Sequence, residues 1–439
     1  MSTSARAMAP ASATGAASRY KWYALGLLML VGLCNYIDRL CMSILQVPIK
    51  QELHLTDTQL GVLTGLAFSL LYTTMTLPLA WLADRTARRY VMAGTLFVWS
   101  LMTLCCGFVT SFAMLAVLRM GVAIGEAGCV PSTHALLAGI FPVQQRSRAI
   151  AAWALVFPLG ALVGMAASGW LNAYVGWRHT FVLLGGGGLL LAPVVLLTLN
   201  EPGRSQPQSQ PGTLATLEGL RTLWRSAAFR NSAIGGALIA YPLNAELFWN
   251  APFYSRAFGM SLRELSLYLA LLSGGAGAIG LYGAAVLSDR LARTRARAYF
   301  VVPAWAGLCV PPLMLLQYFA TDVRVSLLAG IVPVMLLNAF VPPQAAATQS
   351  LFPVHLRALA SGTNVLISGT AGAAIAPLAT GLISDALMSH FALANDSLRY
   401  AIGFSCVLSA LGGWFFARAA RYLPAELERN GWKVTASGA

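Results

Sequence analysis

Long runs of apolar residues fill the chain from end to end, and short polar segments separate them. Each run is about 20 residues or longer, which is the length that an α-helix needs to cross a bilayer. The runs lack the strict alternation of apolar and polar positions that marks the strands of a membrane barrel. This pattern predicts an all-α integral membrane protein with about twelve transmembrane helices, near residues 20–47, 57–83, 90–110, 112–140, 147–170, 178–199, 231–255, 263–288, 298–319, 324–351, 358–386 and 398–419.

The composition supports a membrane protein, because 57% of the residues are hydrophobic and only 10% are charged. Soluble domains carry about 25% charged residues. The 7 cysteines form no C-x-x-C pair and no cluster with histidine, so neither a disulfide framework nor a metal site is predicted. No P-loop, H-E-x-x-H or G-x-S-x-G motif is present, so neither ATP-driven transport nor hydrolysis is supported. We therefore expect no enzymatic activity, no metal and no cofactor.

The net charge of +14 is explained by where the basic residues lie. In a soluble protein this charge would suggest a nucleic-acid partner. If the N-terminus is cytoplasmic, however, the cytoplasmic segments hold 21 Lys and Arg residues and the outer loops hold 6. This is the positive-inside distribution of membrane proteins. We therefore expect a multi-pass protein of the cell (inner) membrane with both termini in the cytoplasm and no nucleic-acid partner.

Two pairs of motifs reveal an internal repeat. The sequence ADRTARR (83–89) follows the second predicted span and SDRLARTRAR (288–297) follows the eighth, and both contain D-R-x-x-R. The sequence FPVQQR (141–146) follows the fourth span and FPVHLR (352–357) follows the tenth, with an offset of 211 residues. Both pairs show that the first six spans correspond to the last six and run in the same orientation. Two parallel repeats of this kind are an architecture of membrane transporters.

The repeat also sets the predicted domain boundaries. Leucines at 214, 217, 220 and 223 recur at helical spacing in the polar segment between the halves, which predicts an amphipathic helix on the cytoplasmic membrane surface. The first residues are rich in alanine and serine, and we expect them to be disordered. The predicted order is a disordered tail (1–18), an N-terminal six-helix half (19–199), a linker (200–229), a C-terminal six-helix half (230–422) and a cytoplasmic tail (423–439).

These motifs resemble those of the major facilitator superfamily of transporters. The loop AWLADRTARR (80–89) is similar to the signature G-x-x-x-D-R-x-G-R-R of that superfamily, with alanine at both glycine places. The chain resembles the superfamily over essentially its whole length, and in detail it resembles the bacterial Spinster-like branch. The matching stretches are NYIDR (35–39), LTDTQLGVLTGLAFSLLYT (55–73), RMGVAIGEAGCVP (119–131) and DSLRYAI (396–402).

Four charges lie inside the predicted spans of the N-terminal half: Asp38 and Arg39 in the first span, and Arg119 and Glu126 in the fourth. The helical rise places Asp38 and Arg119 at similar depth in the membrane, so we expect an ion pair between them. The resemblance implies that Asp38 and Glu126 couple transport to protons, while Arg39 and Arg119 hold the acids or a substrate head group. Two structural alternatives stay open, a static ion pair that stabilises this half and a protonated packing acid at Glu126.

The C-terminal half has fewer charges. Glu246 lies in YPLNAELFWNAPF (241–253) of the seventh span, with Asn244 and Trp249 nearby. These residues can line a substrate path, or they can form hydrogen bonds between helices. When the two halves are aligned by the repeat offset, the charged positions of the fourth span correspond to apolar residues of the tenth span. We therefore expect coupling chemistry in the N-terminal half and a more apolar wall in the C-terminal half.

The D-R-x-x-R loops predict a gating role for Asp84 and Arg85 and for their repeat equivalents Asp289 and Arg290. Asp84 ends the second span, where it can accept hydrogen bonds from the N-terminus of a neighbouring helix. The resemblance implies that Asp84 and Arg85 latch the two halves together. Anchoring of the loops at the cytoplasmic membrane surface is the alternative.

The sequence therefore predicts a proton-coupled secondary transporter that works by alternating access in the lipid bilayer, as a monomer. The resemblance implies an amphipathic lipid as the substrate, such as a lysophospholipid or a sphingoid-like molecule. One alternative is a small organic anion bound by Arg39 or Arg119, because NYIDR also resembles the anion:cation symporter branch. A second alternative is a membrane sensor that has this fold and does not transport.

Overall fold

The computed structural model describes residues 11–200, 213–391, 393 and 396–429, and every regular element in these ranges is a helix. The first helix begins at Ala11, within the segment predicted as a tail. The last helix continues to Arg429, past the predicted boundary at 422. Residues 1–10, 201–212 and 430–439, which belong to the predicted tails and linker, lie outside the described residues.

Ten helical segments of the described chain are long and apolar enough to cross a membrane. The segment Gln144–Thr198 is two spans, because Gly176 bends it with φ 76° and ψ 166°, a conformation that glycine adopts far more readily than other residues. A further long helix, Ala227–Phe258, supplies the seventh span. The remaining spans are Arg19–Leu53, Asp57–Ala83, Arg88–Cys106, Phe112–Ile140, Leu262–Ala292, Ala298–Phe319, Val323–Leu351, Val354–Phe391 and Ser397–Arg429. These twelve spans confirm the predicted fold class.

The two FPV motifs make the same local structure in both halves. Arg146 Nε donates to the carbonyl oxygen of Phe141 at 3.0 Å, and Arg357 Nε donates to that of Phe352 at 3.0 Å. In each motif the proline is extended, with ψ 153° at position 142 and ψ 158° at position 353, and a helix begins directly after it. The motif is therefore a conserved turn of the repeat, used once after the fourth span and once after the tenth.

The halves pack against each other mainly through three pairs of spans: the first and seventh, the second and eleventh, and the fifth and eighth. The second span contacts the eleventh, where Gly61 lies so close to the carbonyl oxygen of Pro377 that an added Cβ would approach it to 2.5 Å. The fifth span contacts the eighth, where the side chain of Ser266 occupies the space beside Gly169. Three spans at this boundary contain a π-helical segment: Val62–Leu66, Leu271–Ala276 and Thr370–Ile375. Such segments often occur at functional sites of helical proteins.

The linker helix Thr213–Arg225 packs against the seventh and eleventh spans. Leu223 on this helix is fully buried, whereas Leu217 and Trp224 are exposed. The linker therefore lies at the end of the bundle where the seventh span begins. We call this end, at which the first span also begins, the terminal face. We call the other end, at which the first span reaches Leu53, the opposite face.

Candidate functional site

An arginine of the first span and a glutamate of the fourth span form an ion pair inside the N-terminal half. Arg39 Nη2 and Nε donate to the same oxygen of Glu126, Oε2, at 3.1 and 3.3 Å. The Glu126 side chain is completely buried, while 24% of the Arg39 side chain is exposed. Glu126 ends the helix Phe112–Glu126, where a short turn interrupts the fourth span before Cys129.

Aromatic rings hold the Arg39 guanidinium in place beside the acid. Its Cζ lies 4.4 Å from the centroid of the Tyr72 ring and 4.9 Å from that of Phe68. The ring of Tyr36, one helical turn before Arg39, lies 5.8 Å away. A cation over an aromatic face is stabilised electrostatically, more strongly where water is excluded. The first and second spans thus position Arg39 independently of its ion pair.

The predicted ion pair between Asp38 and Arg119 does not form. Arg119 Nη1 donates instead to the main-chain carbonyl oxygen of Asp38 at 3.3 Å. The Asp38 carboxylate accepts a hydrogen bond from Thr103 Oγ1 of the third span at 3.4 Å. The residues lie at similar depth as expected, but rotation about the helix axis turns Asp38 towards the third span and Arg39 towards the fourth. The ion pair of this region is therefore Arg39–Glu126.

A second charged cluster, which the sequence analysis missed, joins the two halves at the opposite face. Asp57 of the second span accepts hydrogen bonds from Arg256 Nη1 at 2.7 Å and from Ser384 Oγ at 2.7 Å, and it also pairs with Lys50. Asp385 of the eleventh span accepts from the main-chain N–H groups of Asp57 at 3.1 Å and of Thr58 at 2.7 Å. Asp385 therefore caps the N-terminus of the second span, where a negative charge is favourable.

The opposite face is the closed face of the bundle. In the described ranges, hydrogen bonds between the halves join residues 46, 57 and 58 to residues 248, 256, 384 and 385, all towards this face. Gln46, for example, donates to the carbonyl oxygen of Phe248. These hydrogen bonds hold the two halves together at the opposite face.

A cavity of about 600 Å³ lies between the halves and extends towards the terminal face. Ala151 near the start of the fifth span and Tyr282 near the end of the eighth span line it, and both of these span ends lie at the terminal face. Tyr36, the neighbour of Arg39, also forms part of its wall. Most of the lining is apolar, and its polar residues are Asn244, Glu246, Asn250, Ser273 and Asn338.

Among the residues predicted for the seventh span, Glu246 and Asn244 line the cavity and Trp249 does not. Trp249 is completely buried, and its Nε1 donates to the carbonyl oxygen of Pro377 in the eleventh span at 3.1 Å. Trp249 therefore links two spans of the C-terminal half. The expectation of a more apolar wall in the C-terminal half is wrong for this cavity. Its residues Asn244, Glu246, Asn250, Ser273 and Asn338 all belong to the C-terminal half, whereas the N-terminal half contributes Tyr36 and apolar residues.

A family model of the Major Facilitator Superfamily matches residues 28–377. The chain belongs to this superfamily. It is 34% identical over 369 residues to an MFS-type efflux pump of Mycolicibacterium smegmatis, covering 84% of this chain and 86% of the pump. It is 25% identical to Protein spinster homolog 1 of Homo sapiens, covering 91% of this chain and 80% of that protein. The chain is therefore a transporter of the superfamily that is similar to the Spinster proteins, and not an enzyme.

A solved structure gives the same fold. It is the crystal structure of a bacterial homologue of the human lysosomal transporter Spinster, in an inward-facing and unoccupied conformation. The two chains are 24% identical and superpose with a TM-score of 0.83, covering 93% of this chain and 98% of the other. The architecture of two six-helix halves is thus that of a superfamily transporter.

Two of the loop residues predicted to gate this transporter, Arg85 and Asp289, make contacts within their own halves. The Arg85 guanidinium lies 4.0 Å from the centroid of the Trp81 ring in the same span. Asp289 accepts a hydrogen bond from the Tyr299 hydroxyl at 3.2 Å, and Arg290 lies in the last turn of the eighth span. The Asp84 side chain lies outside the part of the chain that the structure describes. A latch at the terminal face therefore stays a prediction for the conformation in which that face closes.

Proposed function

We propose that the chain is a proton-coupled secondary transporter that works by alternating access and carries an amphipathic lipid, such as a lysophospholipid or a sphingoid-like molecule. We place it in the cell inner membrane with the terminal face in the cytoplasm, because the basic residues are distributed in that way. The proposal depends above all on the Arg39–Glu126 pair, which lies beside Tyr36 in the cavity wall.

Protonation of Glu126 is the proposed coupling step. Glu126 Oε1 has no hydrogen-bonding partner among the described residues, so a proton can reside there while Oε2 faces Arg39. A neutral Glu126 no longer holds the arginine by charge. Losing one partner of a buried ion pair costs about 3–5 kcal/mol. This free energy changes the equilibrium constant between two conformations by roughly 100-fold or more. Asp38, in the same buried region, is the second acid proposed to exchange protons.

The cavity supports an amphipathic substrate. Its largely apolar wall suits an alkyl chain, and its opening at the terminal face gives access from the cytoplasmic side of the proposed topology. A small organic anion would need an arginine that is free to bind it. Arg39 is already paired with Glu126, Arg119 is 2% exposed, and neither arginine is among the residues that line the cavity. The cavity wall therefore favours a lipid over a small anion.

Transport by the purified protein in proteoliposomes tests this function. With a pH gradient imposed, we expect lysophosphatidylcholine to start a proton flux, recorded by a pH-sensitive dye trapped inside the vesicles. Protein-free vesicles with the same lipid supply the background. A panel of small organic acids forms the second arm. Flux with the acids alone would reject a lipid substrate, and a lack of flux with both classes would contradict proton-coupled transport.

A further inference from the structure

Glu246 is a buried acid of the C-terminal half that the proposed coupling step does not use. It lies in the middle of the seventh span, is 1% exposed and lines the cavity between the halves. Neither of its carboxyl oxygens has a hydrogen-bonding partner among the described residues. Leaving a buried polar group without a partner is costly, and the cost is greater for a charged group. A buried acid without partners on a cavity wall indicates a ligand that supplies the missing donors.

The hydroxyl groups around Glu246 are already committed elsewhere. The Tyr318 hydroxyl, a neighbour of the carboxyl group, donates its single hydrogen to Asn250 Oδ1 at 2.6 Å. The Tyr254 hydroxyl donates to the carbonyl oxygen of Ser326 at 3.3 Å, and that of Tyr268 donates to the carbonyl oxygen of Leu327 at 2.6 Å. These three hydroxyl groups thus donate to acceptors other than the Glu246 oxygens, and the Tyr318 hydroxyl remains next to the carboxyl group.

Two asparagines on the cavity wall also present acceptors. Asn244 Nδ2 donates to the carbonyl oxygen of Ala240 at 2.9 Å, and Asn338 Nδ2 donates to that of Val334 at 2.8 Å. Each amide nitrogen is used on its own helix, so each Oδ1 is left to accept a hydrogen bond. Asn250 differs, because its Oδ1 accepts from Tyr318 and its amide nitrogen stays available as a donor.

The charge of the cavity wall has one sign. Of the residues that line the cavity, Glu246 is the one carboxylic acid, and no Lys or Arg is among them. Arg39, behind Tyr36, is paired with Glu126. An acid with two asparagine oxygens on the same wall complements a group that is positively charged and rich in hydrogen-bond donors.

We propose that Glu246 binds the ammonium group of a cationic or zwitterionic amphiphile. Asn244 and Asn338 contact other polar atoms of its head group, and its alkyl chain lies along the apolar part of the cavity. This inference rests on the proposed function, because it assumes that the cavity carries an amphipathic substrate. It narrows the substrate class to amphiphiles that contain an ammonium group, and it disfavours those that have only a phosphate or a carboxylate.

Binding of a charge series to the full-length protein in nanodiscs tests the proposal. The probes share a dodecyl chain and differ in the head group: dodecylamine, N-methyldodecylamine, dodecyl phosphate and neutral dodecanol. We expect the wild-type protein to bind the two cations roughly 10- to 100-fold more tightly than the phosphate, the range for charge-assisted hydrogen bonds. In Glu246→Gln this preference should disappear while dodecanol binding is kept. Glu428→Gln, at an exposed glutamate of the last helix, should retain the preference.

The wild-type series decides the question even if Glu246→Gln does not fold. Equal affinities for the cations and the phosphate, or tighter binding of the phosphate, would overturn the inference. An unchanged preference in folded Glu246→Gln would overturn it as well. If lysophosphatidylcholine drives proton flux but the cation preference is absent, the proposed function stands and this inference alone fails. If no amphiphile binds or drives proton flux, both fail.

Discussion

Replacing Glu126 with glutamine is expected to abolish proton-driven transport while exchange of substrate across the membrane continues. The glutamine carbonyl can still accept a hydrogen bond from Arg39, which now bonds Glu126 Oε2 at 3.1 Å. Glutamine cannot take up a proton, however, so the pH gradient no longer drives the conformational change. We expect substrate accumulation driven by the pH gradient to fall by about 100-fold or more. This factor corresponds to a coupling free energy of about 3 kcal/mol.

The matched control for this variant is Glu52→Gln. Glu52 also pairs with an arginine, Arg178, whose Nε donates to Oε1 at 2.9 Å, but its side chain is 49% exposed at the opposite face. A pair that is open to solvent contributes little, and we expect this control to keep gradient-driven accumulation. Proteoliposomes with Glu126→Gln that still accumulate substrate in proportion to the pH gradient would exclude Glu126 as the coupling acid.

Replacing Asp57 with asparagine is expected to open the opposite face. Asp57 is completely buried and faces two cations, Lys50 and Arg256, so its neutralisation leaves like charges close together. The contact with Arg256 joins the two halves, and its loss weakens the closed arrangement. Hydrogen bonds to charged groups contribute about 1.5–3 kcal/mol, so we expect the population that is open at this face to rise by roughly tenfold or more.

Labelling of an introduced cysteine measures this opening. Leu60, which is completely buried near Asp57, is replaced by cysteine in a variant that lacks the 7 native cysteines. We expect a water-soluble maleimide to label it at least about tenfold faster when Asp57→Asn is also present. Glu52→Gln is again the control, since its contacts with Arg178 and Trp177 lie within the N-terminal half. Equal labelling rates in the Asp57 variant and this control would refute the assignment of Asp57 as a gate.

Much of the fold can be predicted from the sequence because its signals are local. The length of an apolar run determines whether a helix can cross a bilayer, and the paired FPV motifs show the repeat because each forms its own turn. The glycine at 176 that separates the fifth and sixth spans acts through its own backbone conformation. None of these features depends on which residues lie far away in the chain.

The partners of the buried charges could not be predicted in the same way. The depth of a residue in the membrane follows from its position along the helix. This depth correctly predicted that the charged residues of the first and fourth spans lie close together. Rotation about the axis and helix packing then select Arg39 rather than Arg119 as the arginine that pairs with an acid. Asp57 lies 199 residues from its partner Arg256, so no sequence pattern links them. The one local signal for the cluster around Asp57 is that a helix begins at this residue.

Proton exchange on substrate binding tests the central claim most directly. Purified protein in a weakly buffered solution with a pH indicator is mixed with lysophosphatidylcholine, and the protons exchanged are compared with the substrate bound. Coupling between two binding sites is reciprocal, so the account predicts that the wild-type protein exchanges protons in proportion to the substrate bound and that Glu126→Gln exchanges fewer. Binding of the lipid by the wild-type protein without any proton exchange would contradict the account.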